Sequence, residues 1–222
     1  MTARTRPGGR GADDLASRGR TVAAAIAAVG ALWGWLMAVP MEHSFRAGAE
    51  GDLPYAPDSW APAYAWIYDQ VGEPLGLSEY YFWGKFAFLL YVAGLLAVRA
   101  LPRGRCRRSR AGRRMFVIAF AVGLVGDLLG YWSGTGEEMT SLTEIGFIVL
   151  EVPAMLLMVV ALGVSGSGLR HDRVVPSWAG WAMVAGAVLT PPFSFFAINY
   201  VPHGVLVPVL ATLAVALTAA RR

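Results

Sequence analysis

The sequence predicts an all-α membrane protein, a polytopic bundle of six transmembrane helices with one outer interfacial amphipathic helix. Three observations lead there. Hydrophobic residues make up 56% of the 222-residue chain and charged residues only 15%, against about 25% in a soluble domain. Mean hydropathy is +0.49, more apolar surface than a soluble globule of this size can hide. Apolar runs close to the roughly 20 residues that cross a hydrocarbon core fall at about 21–39, 80–101, 115–132, 141–164, 177–200 and 203–220. The same numbers exclude intrinsic disorder, a coiled coil and a disulfide scaffold. The single Cys106 allows no internal disulfide and no cysteine metal cluster.

Residues 1–20 are polar, Gly-rich and Arg-rich, and read as a disordered cytoplasmic tail. Residues 21–222 form a single transmembrane domain. The first apolar run, Thr21 to Val39, is longer than a signal-peptide core and is followed by no A-x-A site, so it reads as an uncleaved helix. In the outer loop 41–79, Trp60, Ala63, Tyr64, Ile67, Tyr68 and Val71 follow helical spacing. That predicts an interfacial helix over about 58–72, either a lid or a plain anchor. Ser78 and Glu79 read as an N-cap and a first-turn acid for the second span. Spans three and four are joined by the short GTGEEMTS loop at 134–141, which makes them antiparallel neighbours. Pro153 removes a backbone donor within span four, and Pro191-Pro192 should break span five.

Orientation follows from Arg and Lys. Arg4, Arg6, Arg10, Arg18 and Arg20 lie in the tail, seven Arg in 103–114, Arg170 and Arg173 in the fourth connection, and Arg221 and Arg222 at the end. Six crossings put all of these on one side. Both termini are then cytoplasmic, in a plasma-membrane protein. The opposite loops carry nine acids against Arg46 and Lys85. The net charge of +4 therefore reports topology, and no nucleic-acid partner is expected.

Ionisable groups inside a bilayer are costly and mark function by default. Asp127 lies five residues before Trp132, roughly 8 Å below the outer end of span three. Glu144 sits in the first turn of span four, and Glu151 about 15 Å deep. Mirroring Asp127 about the 134–141 loop sets it level with residue 146, between two acids that lie seven apart on one helical face. Gly126 and Gly130 would admit a close neighbour beside Asp127. Glu151, Asp127 and Glu144 are thus the candidate catalytic residues, converging in the outer half of the membrane. Trp33, Trp83, Tyr91, Tyr131, Trp132, Phe195, Phe196 and Asn199 are candidates to line the substrate's path.

Other motifs fail on geometry. Gly163-Val164-Ser165-Gly166 matches a rhomboid-type G-x-S-G string, but Ser165 and His203 fall at opposite faces of the membrane. Three His and one Cys give no zinc spacing, so neither metal nor other cofactor is expected. The seven Arg in 103–114 read as a positive-inside loop, with anionic headgroups as the alternative partner.

A carboxylic acid kept neutral by apolar surroundings can act as a general acid, and aromatic faces stabilise carbocations. Together they can protonate an alkene or epoxide and steer ring closure in an isoprenoid chain that enters from the lipid. In small size, all-helical membrane character, intramembrane acids and abundant Trp and Tyr, the chain resembles the small integral-membrane terpene cyclases. That resemblance implies acid-initiated cyclisation of a lipophilic prenylated substrate, with lipid as the only other partner. Two alternatives stay open: a small proton-coupled transporter and a non-catalytic membrane accessory protein. Oligomeric state is not legible.

Overall fold

The computed structural model describes residues 9–46, 61–135, 140–192 and 205–220. Every regular element among them is helical. Among the described residues, four stretches are long and apolar enough to cross a membrane: Arg18–Met41, Glu79–Ala100, Arg107–Ser133 and Ser141–His171.

The first helix, α1, spans Gly9–Arg46 and begins well inside the segment expected to be a disordered tail. Its polar part mixes the helix formers Arg10, Ala12, Leu15, Ala16, Arg18 and Arg20 with three glycines, and extending a helix from the apolar run costs far less than nucleating one. Downstream, α1 packs closely on the second span. A Cβ added to Gly30 would stand 3.3 Å from Ala93 Cβ, and one on Gly34 would overlap the Leu90 side chain at 2.5 Å.

The segment between the first and second spans forms α2, Ala61–Ile67, which runs into a π turn at Tyr68–Gly72 and a 3₁₀ turn at Glu73–Leu75. Its inward face is narrower than its spacing suggests. Tyr64 and Tyr68 turn inward with Gly72, whereas Ala63, Ile67 and Val71 are exposed. The π turn holds more residues than an α turn and shifts the register. Tyr64 donates to Leu36 O at 3.2 Å and meets Trp83 edge-on, with ring centroids 5.4 Å apart. This ties the segment to the top of α1 and to the second span. Trp60 lies outside the described residues.

The second span is divided into α3, Glu79–Gly84, and α4, Phe88–Ala100. Tight i to i+3 bonds join them, Phe86 N to Trp83 O at 3.1 Å and Ala87 N to Gly84 O at 2.9 Å. Ser78 occupies the N-cap position, but its side chain makes no cap bond. Its backbone N–H donates instead to Thr135 O at 3.0 Å.

The third span, α5, covers Arg107–Ser133 with Cys106 as its N-cap. Most of the Arg-rich connection is therefore the opening turns of a helix. After a short α6, Ser141–Glu144, a π turn covers Ile145–Glu151 and α7 covers Val152–His171. Pro153 has no N–H for a normal helical bond, and the chain answers with the wider turn, in which Val152 N–H reaches Phe147 O. Helix α5 runs antiparallel to the π turn and α7: Gly130 abuts Phe147 and Gly126 abuts Gly146 in the π turn, while Gly112 abuts Ser165 and Ser109 abuts Gly168 in α7. Ser165 is thus buried mid-helix, not at a helix end.

Two shorter apolar helices complete the described bundle, α8 at Ser177–Pro192 and α9 at Leu206–Ala220. α8 stays helical through Pro191 and Pro192, where its described segment ends. The interior divides in two. A large aliphatic core of Ala, Leu, Val and Met, with Tyr91, Phe116 and Phe120, joins α1, α4, α5, α7, α8 and α9. A smaller aromatic core of Tyr81, Phe82, Trp83 and Tyr131, with Met41 and Ala87, lies beneath α2.

Candidate functional site

Two acids meet inside the bundle. Asp127 comes from α5 and Glu151 from the end of the π turn, and their side chains are 0% and 1% exposed. What brings them together is the absence of side chains around them. A Cβ on Gly126 would stand 2.8 Å from Gly146 O and 3.1 Å from Glu151 N, and one on Gly146 would stand 2.5 Å from Gly126 O. Backbone therefore lies against backbone at this level, which brings the turns that carry the two acids together.

Tyr91 of α4 supplies the third member. Its ring lies over Gly123, one turn before Asp127, at a spot where a Cβ would overlap the ring at 2.3 Å. Its hydroxyl donates to Glu151 Oε1. Glu151 Oε2 and both oxygens of Asp127 have no hydrogen-bond partner among the described residues. No Lys or Arg pairs with either acid among the described residues. A buried charge without a partner is strongly disfavoured, and two adjacent carboxylates cannot both ionise in such a place. The arrangement keeps at least one of the two acids protonated, with a proton to give up.

No protein-family model, curated protein or solved structure matches the chain. The chemistry of the site rests on its own geometry.

Glu144 does not join the pair. It is exposed, in the first turn of α6, where the helix N-terminus favours an acid. Seven residues make two turns of an α-helix, but the π turn between Glu144 and Glu151 breaks that count and sends the two acids to different faces.

The aromatic candidates separate likewise. Trp83 and Tyr131 are buried with Tyr81 and Phe82 in the aromatic core. Tyr131 stands one turn C-terminal to Asp127 on α5, with its ring against Phe147 at 4.7 Å between centroids and its hydroxyl 3.2 Å from that of Tyr80. The Trp83 indole N–H is buried with no partner among the described residues. By contrast, Trp33 and Trp132 are 47% and 57% exposed. Trp132 serves the scaffold: its N–H donates to Lys85 O at 3.1 Å. Lys85 in turn donates to Tyr131 O at 2.7 Å and Gly134 O at 3.3 Å, satisfying carbonyls at the end of α5. Phe195, Phe196 and Asn199 lie outside the described residues.

A second carboxylate, absent from the sequence reading, sits at the other end of α5. Asp172 follows α7 and accepts from Arg105 N at 2.6 Å, Cys106 N at 2.9 Å and Ser109 Oγ at 2.9 Å. These bonds, with that of the Cys106 N–H foremost, hold its carboxyl down to about 2. The motif ties the start of α5 to the end of α7. Only the folded chain unites these residues, because 66 positions separate Cys106 from Asp172.

Proposed function

We propose that the chain is an integral-membrane acid catalyst that protonates a lipophilic isoprenoid and so starts its cyclisation. The observation that carries this reading is the buried Asp127–Glu151 pair, with three of its four carboxyl oxygens unpartnered among the described residues. In the proposed cycle the protonated acid gives its proton to an alkene carbon, and the positive charge passes to the adjacent carbon. A second double bond of the same chain closes the ring, and loss of a carbon-bound proton to the carboxylate restores the acid. Atoms balance as an isomerisation. Tyr91 fixes Glu151 Oε1 and leaves Oε2 for the transfer. The rings of Tyr131, Phe147 and Trp83 on the outer side supply faces that favour a cation.

In this reading the protein crosses the plasma membrane six times, with α8 and α9 belonging to the fifth and sixth crossings. Both termini are cytoplasmic, by the distribution of Arg, and α2 lies at the outer interface above the aromatic core. The substrate enters from the bilayer.

The test is turnover of a farnesylated phenol by the purified protein in lipid nanodiscs made up in D₂O. Product carrying one carbon-bound deuterium is expected from the wild type. Asp127→Asn and Glu151→Gln should each lower the rate by about 10²-fold or more, the usual contribution of a general acid. Equal turnover by all three proteins would remove the proposal. Proton uptake into proteoliposomes on adding the substrate, without product, would assign the pair to transport.

A further inference from the structure

The sole cysteine, a histidine and an aspartate meet at the junction of α5 and α7. Each of Cys106, His171 and Asp172 offers a ligand atom, and these atoms all lie within 4.8 Å of one another. Close backbone approach builds the junction. A Cβ on Gly168 would stand 2.4 Å from Ser109 N, and one on Gly104 would stand 2.5 Å from Asp172 Oδ2.

We propose that Cys106, His171 and Asp172 form a binding site for a borderline-soft divalent cation of the Zn²⁺ class. The donor set is one thiol sulfur, one imidazole nitrogen and one carboxylate oxygen. Three protein ligands of these types leave a fourth tetrahedral position for water or an exogenous ligand. The carboxylate has capacity to spare. Asp172 Oδ2 takes the short bonds, whereas Oδ1 accepts only from Cys106 N at 3.2 Å and lies 3.7 Å from His171 Nδ1. Bond lengths of about 2.0–2.3 Å place tetrahedral ligands roughly 3.5 Å apart. His171, 73% exposed, is free to swing through the remaining distance. Cys106 is half-buried, and its sulfur accepts from Ser109 N at 3.4 Å.

The exposed guanidinium groups of Arg103, Arg105, Arg107, Arg108 and Arg110 flank the site. They oppose a cation, which the anionic donors must offset. Binding displaces the thiol proton to solvent, and the resulting thiolate and the carboxylate together neutralise M²⁺, so the occupied site is itself neutral. A bound ion would join two helices that are distant in sequence, so it should also raise thermal stability.

The experiment is Cd²⁺ titration of the full chain, without a polyhistidine tag, in lipid nanodiscs, read by sulfur-to-cadmium charge-transfer absorption and by Tm. The wild type should bind one equivalent and gain Tm. Cys106→Ser, which retains an oxygen able to cap α5, should lose the absorption and the Tm gain. His171→Ala should keep the absorption but weaken binding at least tenfold. Equal affinity in the wild type and His171→Ala would reduce the finding to a lone thiol adduct and overturn the proposal. No charge-transfer band in the wild type would overturn it as well. Neither result touches the Asp127–Glu151 reading, which lies in another part of the bundle.

Discussion

Asp127 and Asp172 are both aspartates of the α5–α7 pair, and the protein treats them in opposite ways. Asp172 is bound by two backbone N–H groups and a serine hydroxyl. Asp127 is fully buried, and neither of its oxygens has a partner among the described residues. The first arrangement satisfies donors at the start of a helix and stabilises the fold. The second costs stability, because buried polar groups are disfavoured unless hydrogen-bonded. A carboxyl group that the fold rewards is architecture. One that it tolerates at a cost, beside a second acid, is a candidate for chemistry.

The comparison can be broken by exchanging the consequences. Asp127→Asn should abolish turnover while Tm holds or rises, because a neutral amide is easier to bury than a charge. Asp172→Asn should leave turnover intact and lower Tm, because an amide accepts less strongly from the three donors. Matching effects of the two variants on both activity and Tm would end the distinction.

The next largest effect concerns the contact that allows the pair to form. Gly146→Ala places a methyl group 2.5 Å from Gly126 O and Gly130 N. Both are backbone atoms, so no side chain can yield. We expect a loss of about 1–3 kcal/mol, the usual cost of overpacking, seen as a lower Tm, together with reduced turnover as α5 and α7 separate. Wild-type Tm and turnover in this variant would mean that the two backbones are not in contact.

The smallest effect is on pH dependence. The Asp172 carboxyl is lowered from 3.8 to about 2 on folding, so its contribution is fully present above about 3.8. It declines as pH falls and is gone once pH drops through about 2. The Tm of the wild type relative to that of Asp172→Asn should be constant above that window and shrink within it. A difference that stays unchanged down to pH 2 would contradict the hydrogen-bonded state assigned to Asp172.

The sequence carries much of this architecture and part of its chemistry. Apolar runs and short connections mark the long helices and the antiparallel pairing of spans three and four. Mirroring about the 134–141 loop sets Asp127 level with residue 146, and the structure places Gly126 directly against Gly146. Glu144 was misleading because helical periodicity assumes one kind of turn, and Pro153 induces another. Its exposure follows from that local change and leaves no trace in hydropathy. Trp132 resembled a substrate-lining residue by depth alone, but depth does not fix rotation about the helix axis. Tyr91 was legible as an aromatic at the right level, but its bond to Glu151 depends on Gly123 leaving room for the ring. Asp172, Cys106 and His171 were not legible as a group, since tertiary packing alone closes the distance between the ends of α5 and α7.

The central claim is that the Asp127–Glu151 pair retains a proton inside the membrane. Infrared spectroscopy of the protein in nanodiscs at neutral pH reads this directly from the C=O stretch of a protonated carboxylic acid. The account predicts such a band in the wild type and in Asp172→Asn, and its loss or displacement in both Asp127→Asn and Glu151→Gln. A wild-type spectrum with carboxylate bands alone, unchanged by either substitution, would contradict it.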